Sequence, residues 1–161
     1  MTTRREFLKT GLAGGLLLNV AACTNPVEDG GRQAVLAAVV PVFLAGALPG
    51  NGEPFRELLS RTVAGVDQAI AGLPLASQKE IAQLFKLLSF APTRILAAGL
   101  WSPWPEASPQ AIGSFLESWR NSRFDLFKSG YAALHDLIFA AWYARPETWA
   151  AIGYPGPPKV E

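Results

Sequence analysis

The residue types that most often carry chemistry are scarce in this chain. It has one histidine, His135, one cysteine, Cys23, and one methionine at position 1. A Ser-His-Asp triad would have to use His135 as its base, and no convergent set of polar residues surrounds it in the sequence. We therefore interpret His135 as a core or interface histidine, bonded to a neighbour such as Asp136 or to a backbone carbonyl.

Other kinds of reactive site also lack their residues. With one cysteine the chain can form neither an internal disulfide nor a cysteine-based metal site. His135 could supply one axial haem ligand, but no Cys-x-x-Cys-His motif is present. The paired glycines do not form a phosphate-binding loop, and the adjacent acids Glu28 and Asp29 are most simply solvated. The residue inventory predicts a chain that is not an enzyme by itself, with no catalytic residue, no metal and no cofactor of its own.

The N-terminus is typical of a targeting sequence. It resembles the twin-arginine export signal over the whole motif, through Arg4, Arg5, Phe7, Leu8 and Lys9. A helix over the apolar residues 11–22 would rise about 18 Å, well short of the roughly 30 Å hydrocarbon core of a bilayer. Such a signal is an address read by a receptor. We predict that residues 1–22 direct the chain, already folded, through the twin-arginine translocase to the periplasm.

The cysteine follows immediately after this apolar stretch. Small residues before Cys23 resemble the lipobox of bacterial lipoproteins, in which the cysteine is acylated and becomes the new N-terminus. The alternative is an ordinary Ala-x-Ala cleavage site, with Cys23 incidental. Residues 23–31 include proline, two acids and two glycines, which predicts a flexible tether. In the lipoprotein interpretation, this tether joins a membrane anchor at Cys23 to the folded domain.

The composition narrows the class of partner. Half of all residues are hydrophobic and 17% are charged. Loss of the leader leaves the chain close to neutral, without the basic patch that nucleic-acid binding needs. A composition this apolar, in a domain of this size, suggests that part of the protein surface is buried against a partner.

The rest of the chain has the periodicity of helices. Apolar residues recur at three- and four-residue steps, and no alternating strand pattern occurs. Ser77 and Glu80 have the spacing of a capping box, Ser108 precedes a proline at a helix start, and Gly99 follows a short helix. We predict an all-α fold over residues 32–161, a small bundle of about five or six helices with an extended C-terminal tail rich in proline and glycine.

Two groups of aromatic residues are candidates for partner binding. Trp101 and Trp104 lie in a proline-rich loop, where they either fold over the core or anchor an interface. The second group occupies the last helix and the tail, and we predict that residues 142–158 form much of a partner contact. Its members are Trp142, Tyr143, Trp149, Tyr154, Pro155 and Pro157.

The C-terminal third resembles a known family. Its spaced aromatic, glycine and proline residues, from Phe115 through Trp119, Gly130, Trp142 and the tail, are similar to those of small accessory subunits of bacterial periplasmic dehydrogenases, such as the gluconate dehydrogenase small subunit. The resemblance implies a helical, non-catalytic escort of a large flavin subunit of the glucose-methanol-choline type. The FAD would belong to that partner, and the resemblance leaves room for a cytochrome c subunit. The lipobox-like Cys23 is not expected throughout the family.

Two other functions stay open at this point. One is a stand-alone, lipid-anchored helical binding protein of the periplasm, with an apolar pocket among its helices. The other is a small redox protein that uses His135 as a cofactor ligand. A visible absorption band would favour the redox protein, and a stable isolated monomer would favour the binding protein.

Overall fold

The prediction of an all-α bundle is confirmed. A computed structural model describes residues 26–149 and 152–157, and these residues form α-helices, two single 3₁₀ turns and no strand. The turns are Trp104–Glu106 and Pro146–Thr148. In chain order the helices are α1 Pro26–Phe43, α2 Glu53–Ala71, α3 Leu75–Ser89, α4 Ala91–Ala98, α5 Pro109–Arg120 and α6 Asp125–Tyr143.

Helix α1 is the centre of the bundle. It packs against α2, α3, α5 and α6, and α6 also packs along α2. Val35, Leu36, Val39 and Val40 are fully buried, at the one- and four-residue steps that give a helix a broad apolar face. Burial of this apolar face against several neighbouring helices contributes to the hydrophobic stabilisation of the bundle.

The start of α1 differs from the predicted tether. Residues 26–31 were expected to be a flexible linker, but α1 begins at Pro26 and includes them. Proline suits a first helical turn, where its missing N–H costs no hydrogen bond. Gly31 lies so close to α3 that an added Cβ would come within 2.7 Å of the Ser89 hydroxyl oxygen. This close tertiary packing favours helix where composition alone suggested a linker.

Of the three helix ends predicted here from the local sequence, two are confirmed and one is wrong. Ser108 caps α5, its hydroxyl accepting a hydrogen bond from the Ala111 N–H at 3.2 Å, and Gly99 closes α4 at φ +68°. The predicted capping box at Ser77 is wrong, because α3 already begins at Leu75, after the extended residue Pro74. Pro74 lies just before the first helical residue, Leu75, and Ser77 therefore lies inside the helix and not at its cap.

The two-helix corner between α3 and α4, the α3–α4 corner, is held by side chains that bond to the last carbonyls of each helix. The Trp104 indole N–H donates to the Leu88 carbonyl at 2.8 Å, and the Trp119 indole N–H donates to the Ala97 carbonyl at 2.7 Å. Thr93 bonds to the carbonyl of Leu87. These donors satisfy carbonyls that a helix end otherwise leaves without partners.

The described helices were also compared with what a bilayer requires. None of them alone is both long and apolar enough to cross a membrane. Helices α3 and α4 together meet the length and composition requirement, with a 93° bend between them.

Candidate interaction surface

A ladder of stacked rings runs along one face of α6. Tyr131, His135, Phe139 and Tyr143 follow one another at four-residue steps, which places them on the same side of the helix. The ring centroids of successive members lie 6.1, 4.5 and 5.9 Å apart. Phe43, at the end of α1, packs against the first three rings at 5.6 to 6.3 Å. All five side chains are half-buried or exposed, so the ladder is part of the protein surface.

The adjacent face of α6 fixes the rotation of the helix and thereby the position of the ladder on the surface. That face is buried and packs along α2 and α5, so the helix cannot turn to hide its aromatic side. Aromatic pairs in offset or edge-to-face contact also stabilise one another by roughly 0.5–1.5 kcal/mol beyond their burial. The buried residues are Gly130, Leu134, Leu137, Ile138, Ala141 and Trp142.

His135 is a member of this ladder. Its Nδ1 lies 2.9 Å from a carboxylate oxygen of Asp136, which is the neighbour predicted from the sequence. Its side chain is 43% exposed, and its other close contacts are aromatic rings. Within residues 26–149 and 152–157, no three His, Cys, Asp or Glu side chains are grouped so that they could hold a metal ion.

The C-terminal tail folds back onto the end of α6. The Trp149 indole N–H donates to the Tyr143 carbonyl at 2.7 Å, and the Tyr154 N–H donates to the Trp149 carbonyl at 3.0 Å. The rings of Trp149 and Tyr154 meet edge to face with centroids 5.3 Å apart. At Gly156 an added Cβ would lie 3.3 Å from the Trp149 ring. The tail and the ladder therefore join at Tyr143 and form one continuous surface.

We call this surface the aromatic surface. It combines the ladder, the ring that supports it from α1 and the two rings of the tail. Its members are Phe43, Tyr131, His135, Phe139, Tyr143, Trp149 and Tyr154.

Arg145 fastens the tail to the body of the protein. Its Nη2 donates to the Thr62 hydroxyl in α2 at 3.0 Å, and its guanidinium lies 4.9 Å from the Trp142 ring centroid. Burial lowers the pKa of Arg145, Glu147 acts in the opposite direction, and Arg61 adds to the lowering. Its Nε and Nη1 are buried and have no hydrogen-bond partner among the described residues. A cation held in this way resists movement of the α6 end, because any shift would break the one hydrogen bond it has.

The predicted partner-binding residues divide between surface and core. Tyr143, Tyr154, Pro155 and Pro157 are exposed and Trp149 is half-buried, so these remain candidates. Trp142 is 5% exposed and belongs to the core, where it packs under Arg145. We therefore remove Trp142 from the contact surface that we predicted.

The tryptophans of the loop also separate. Trp101 is 80% exposed, whereas Trp104 is 3% exposed and caps α3 through its indole N–H. Trp104 is thus a structural residue in this conformation, and Trp101 remains a candidate for contact. Trp104 therefore folds over the core, which is one of the two alternatives weighed from the sequence, and the interface alternative stays a prediction for Trp101.

The predicted export and lipidation residues lie outside the described residues. They are Arg4, Arg5, Phe7, Leu8, Lys9 and Cys23.

A concave feature separate from the aromatic surface lies between α3 and α6. It is an apolar groove of about 440 Å³, with Trp119 at its base and the exposed side chain of Leu126 at its edge. Gly130 allows the Trp119 ring of α5 to lie against α6, because an added Cβ would lie 2.5 Å from that ring. The other apolar lining residues include Ile81, Leu84, Leu87 and Phe127.

The sequence reasoning missed three members of the aromatic surface, Phe43, Tyr131 and Phe139. The four-residue spacing along α6 was a usable signal for the last two, since it places rings on one helix face. Phe43 had no such signal, because it is far from α6 in the chain.

In comparisons with known proteins, no family model, no curated protein and no solved structure matches this chain.

Proposed function

We propose that this protein is a non-catalytic small subunit and export escort of a flavin-dependent periplasmic dehydrogenase. In this proposal it binds the folded, FAD-loaded large subunit in the cytoplasm, accompanies it through the twin-arginine translocase and stays in the complex. The observation that carries the proposal is the aromatic surface, in which two of the seven rings are exposed and five are half-buried. The leader and the resemblance of the C-terminal third to such small subunits support it.

The aromatic surface suits a protein partner for two physical reasons. Tyrosine and tryptophan are enriched at the energetic centres of interfaces, because they bury much area and keep a polar group for hydrogen bonding. The tail is also held in place before binding by the bonds of Trp149 and Tyr154 described above. A surface that is already ordered loses less conformational entropy when a partner docks.

The interface test uses the chain co-expressed with a candidate flavin oxidoreductase large subunit, to be sought among the adjacent open reading frames. We expect the double variant Tyr143→Ser/Tyr154→Ser to lower the amount of large subunit that co-purifies by at least tenfold. The reason is that it removes both exposed rings from the aromatic surface. The matched control is Leu75→Ser, which removes an exposed apolar side chain at the start of α3, outside the aromatic surface. Undiminished co-purification with the double variant would refute the proposed interface.

A deletion of residues 153–161 tests the tail separately. If the tail contacts the large subunit, the deletion weakens co-purification and leaves the helical circular-dichroism signal nearly unchanged. If the tail serves mainly to cover Trp149, the deletion lowers the thermal midpoint of the isolated chain instead. The second result would restrict the interface to the ladder on α6.

The export test changes the paired arginines. Replacing Arg4 and Arg5 with lysine should leave both this chain and the flavin-dependent activity in the cytoplasm, because the receptor reads the arginine pair. Periplasmic activity that does not change would contradict the escort role, even if the two chains form a complex.

A second candidate function is favoured by the apolar groove between α3 and α6. A stand-alone, lipid-anchored periplasmic protein could bind a small apolar ligand there, since apolar grooves of several hundred Å³ are typical ligand sites. Saturable binding of an apolar fluorescent probe to the purified monomer, lost in Leu84→Gln, would support this function. A chain that is unstable or aggregates without its partner would favour the small-subunit role.

A further inference from the structure

We propose that the α3–α4 corner rests on the surface of a lipid bilayer. Three large apolar side chains point away from the protein there: Phe90, Leu96 and Trp101 are 61, 86 and 80% exposed. Aromatic and leucine side chains are those that enter the boundary between headgroups and acyl chains most favourably. None of the three belongs to the aromatic surface, so this is a second and separate site of contact.

The corner presents these side chains from a fixed backbone. Within α4 the buried residues Arg94 and Ala98 face the protein, and Leu96 lies between them on the opposite side of the helix. The Arg94 guanidinium donates to the carbonyls of Leu100 at 3.2 Å and Trp101 at 3.4 Å. These bonds tie the loop after α4 to the helix itself. Leu96 and Trp101 are thereby held on a preformed edge, which needs no ordering when it meets a membrane.

The charge around the corner matches an anionic lipid surface. Residues 81–105 contain no aspartate or glutamate, and their two cations are Lys86 and Arg94. Lys86 is exposed and free to approach lipid phosphate, whereas Arg94 is buried beneath the edge. The aromatic surface differs, because the carboxylates of Asp136 and Glu147 lie beside it. Within residues 81–105 a lipid phosphate would meet Lys86 and no carboxylate, whereas the aromatic surface has two carboxylates beside it.

The path of the chain brings the N-terminal region to the same place. Gly31 of α1 touches Ser89, the last residue of α3. By covalent geometry, one and a half turns of helix and three further peptide units put Cys23 within about 20 Å of this contact. A lipid on Cys23 would therefore enter the bilayer close to the corner. This step rests on the proposed acylation of Cys23, whereas the contact of the corner with lipid does not.

The test measures whether Trp101 enters the acyl-chain boundary. It uses the full-length chain with Cys23→Ser, which cannot be acylated, and vesicles of phosphatidylethanolamine and phosphatidylglycerol with brominated or ordinary acyl chains. We expect the tryptophan emission to shift to shorter wavelength and to be quenched by the brominated vesicles. The Trp101→Phe variant should lose most of this quenching, since Trp104, Trp119 and Trp142 are buried and the half-buried Trp149 belongs to the aromatic surface, outside the corner. The leader contains no tryptophan and contributes no signal of its own.

Two exposed leucines provide a matched pair of variants. Leu96→Ser at the corner should reduce the quenching at least threefold. Leu75→Ser should leave it unchanged, because Leu75 is 75% exposed but lies at the far end of α3, about 20 Å from the corner along the helix. Both variants should keep the helical circular-dichroism signal and the co-purification of the large subunit.

Three results would overturn the proposal. They are absence of vesicle binding, vesicle binding without quenching of Trp101, and equal loss of quenching in the two leucine variants. If the large subunit instead shields Trp101 in a complex made without lipid, the corner is a protein contact and the proposal is wrong. Loss of co-purification in the tyrosine variants with quenching retained would separate the two interfaces. Failure of the proposed dehydrogenase partnership would leave the quenching result intact.

Discussion

Gly130 offers a sharp test of how α3, α5 and α6 pack together. In Gly130→Ala the new Cβ would lie 2.5 Å from Cζ3 and 3.0 Å from Cε3 of Trp119, and 3.4 Å from a methyl carbon of Leu84. The first distance is far below van der Waals contact, so the indole ring must move. Trp119 has little freedom to do so, because it is 3% exposed and its indole N–H bonds to the Ala97 carbonyl at 2.7 Å.

The opposing contributions have known sizes. Alanine in place of glycine inside a helix stabilises by about 0.5–1 kcal/mol. Overpacking of a rigid core costs about 1–3 kcal/mol, and a weakened hydrogen bond of the displaced indole costs about 0.5–1.5 kcal/mol more. We therefore expect Gly130→Ala to lower the free energy of unfolding by about 1–3 kcal/mol. Urea unfolding of the purified chain, followed by circular dichroism and by tryptophan fluorescence, measures this change.

Gly113 provides the matched control, with the same substitution in α5. Nothing lies within 4 Å of the position of its Cβ, so Gly113→Ala should raise the free energy of unfolding by about 0.5–1 kcal/mol. Trp119→Phe removes the crowded ring, so its effect should be less than additive with that of Gly130→Ala. If Gly130→Ala stabilises the chain as Gly113→Ala does, Trp119 does not pack over Gly130 and the described packing is wrong.

Three further substitutions test other parts of the fold by urea unfolding. Trp104→Phe should cost about 1–3 kcal/mol, because it leaves the buried Leu88 carbonyl without its donor, whereas Trp101→Phe should change stability by less than about 0.5 kcal/mol. Gly99→Ala should cost about 1–2 kcal/mol, because its φ of +68° strains any residue with a Cβ; equal stability would refute the left-handed end of α4. Thr148→Val should cost about 1–2 kcal/mol, because the buried hydroxyl lies 3.0 Å from the Trp142 carbonyl in α6 and 2.8 Å from the Arg145 carbonyl just after it, and an unchanged midpoint would show that these bonds do not hold the tail.

Local sequence predicted most of the helices, because their formation depends on neighbouring residues. The periodicity of apolar residues predicted the segments, the Ser108 cap and the Gly99 stop were read correctly, and the helical class followed. The same reasoning failed at Ser77, where a capping pattern was present but the chain starts the helix earlier. It also failed at residues 26–31, whose composition is typical of a linker but which belong to α1, with Gly31 against Ser89 of α3.

The aromatic surface shows where local reasoning stops. The spacing along α6 puts four rings on one face, but whether that face is exposed depends on which side α2 and α5 cover. Phe43 joins the ladder only through the packing of α1, far away in the chain. No pattern within α6 could reveal that contact.

By itself, the sequence determined the helical class, the helix ends at Gly99 and Ser108 and the scarcity of reactive side chains, since each depends on residue types and short spacings. The tertiary structure alone decided which aromatic residues are available to a partner. Trp101 and Trp104 lie three positions apart in similar surroundings, yet one is exposed and the other is buried with its indole bonded to Leu88. The difference arises because burial depends on contacts between segments distant in the chain, and these form only when the helices pack.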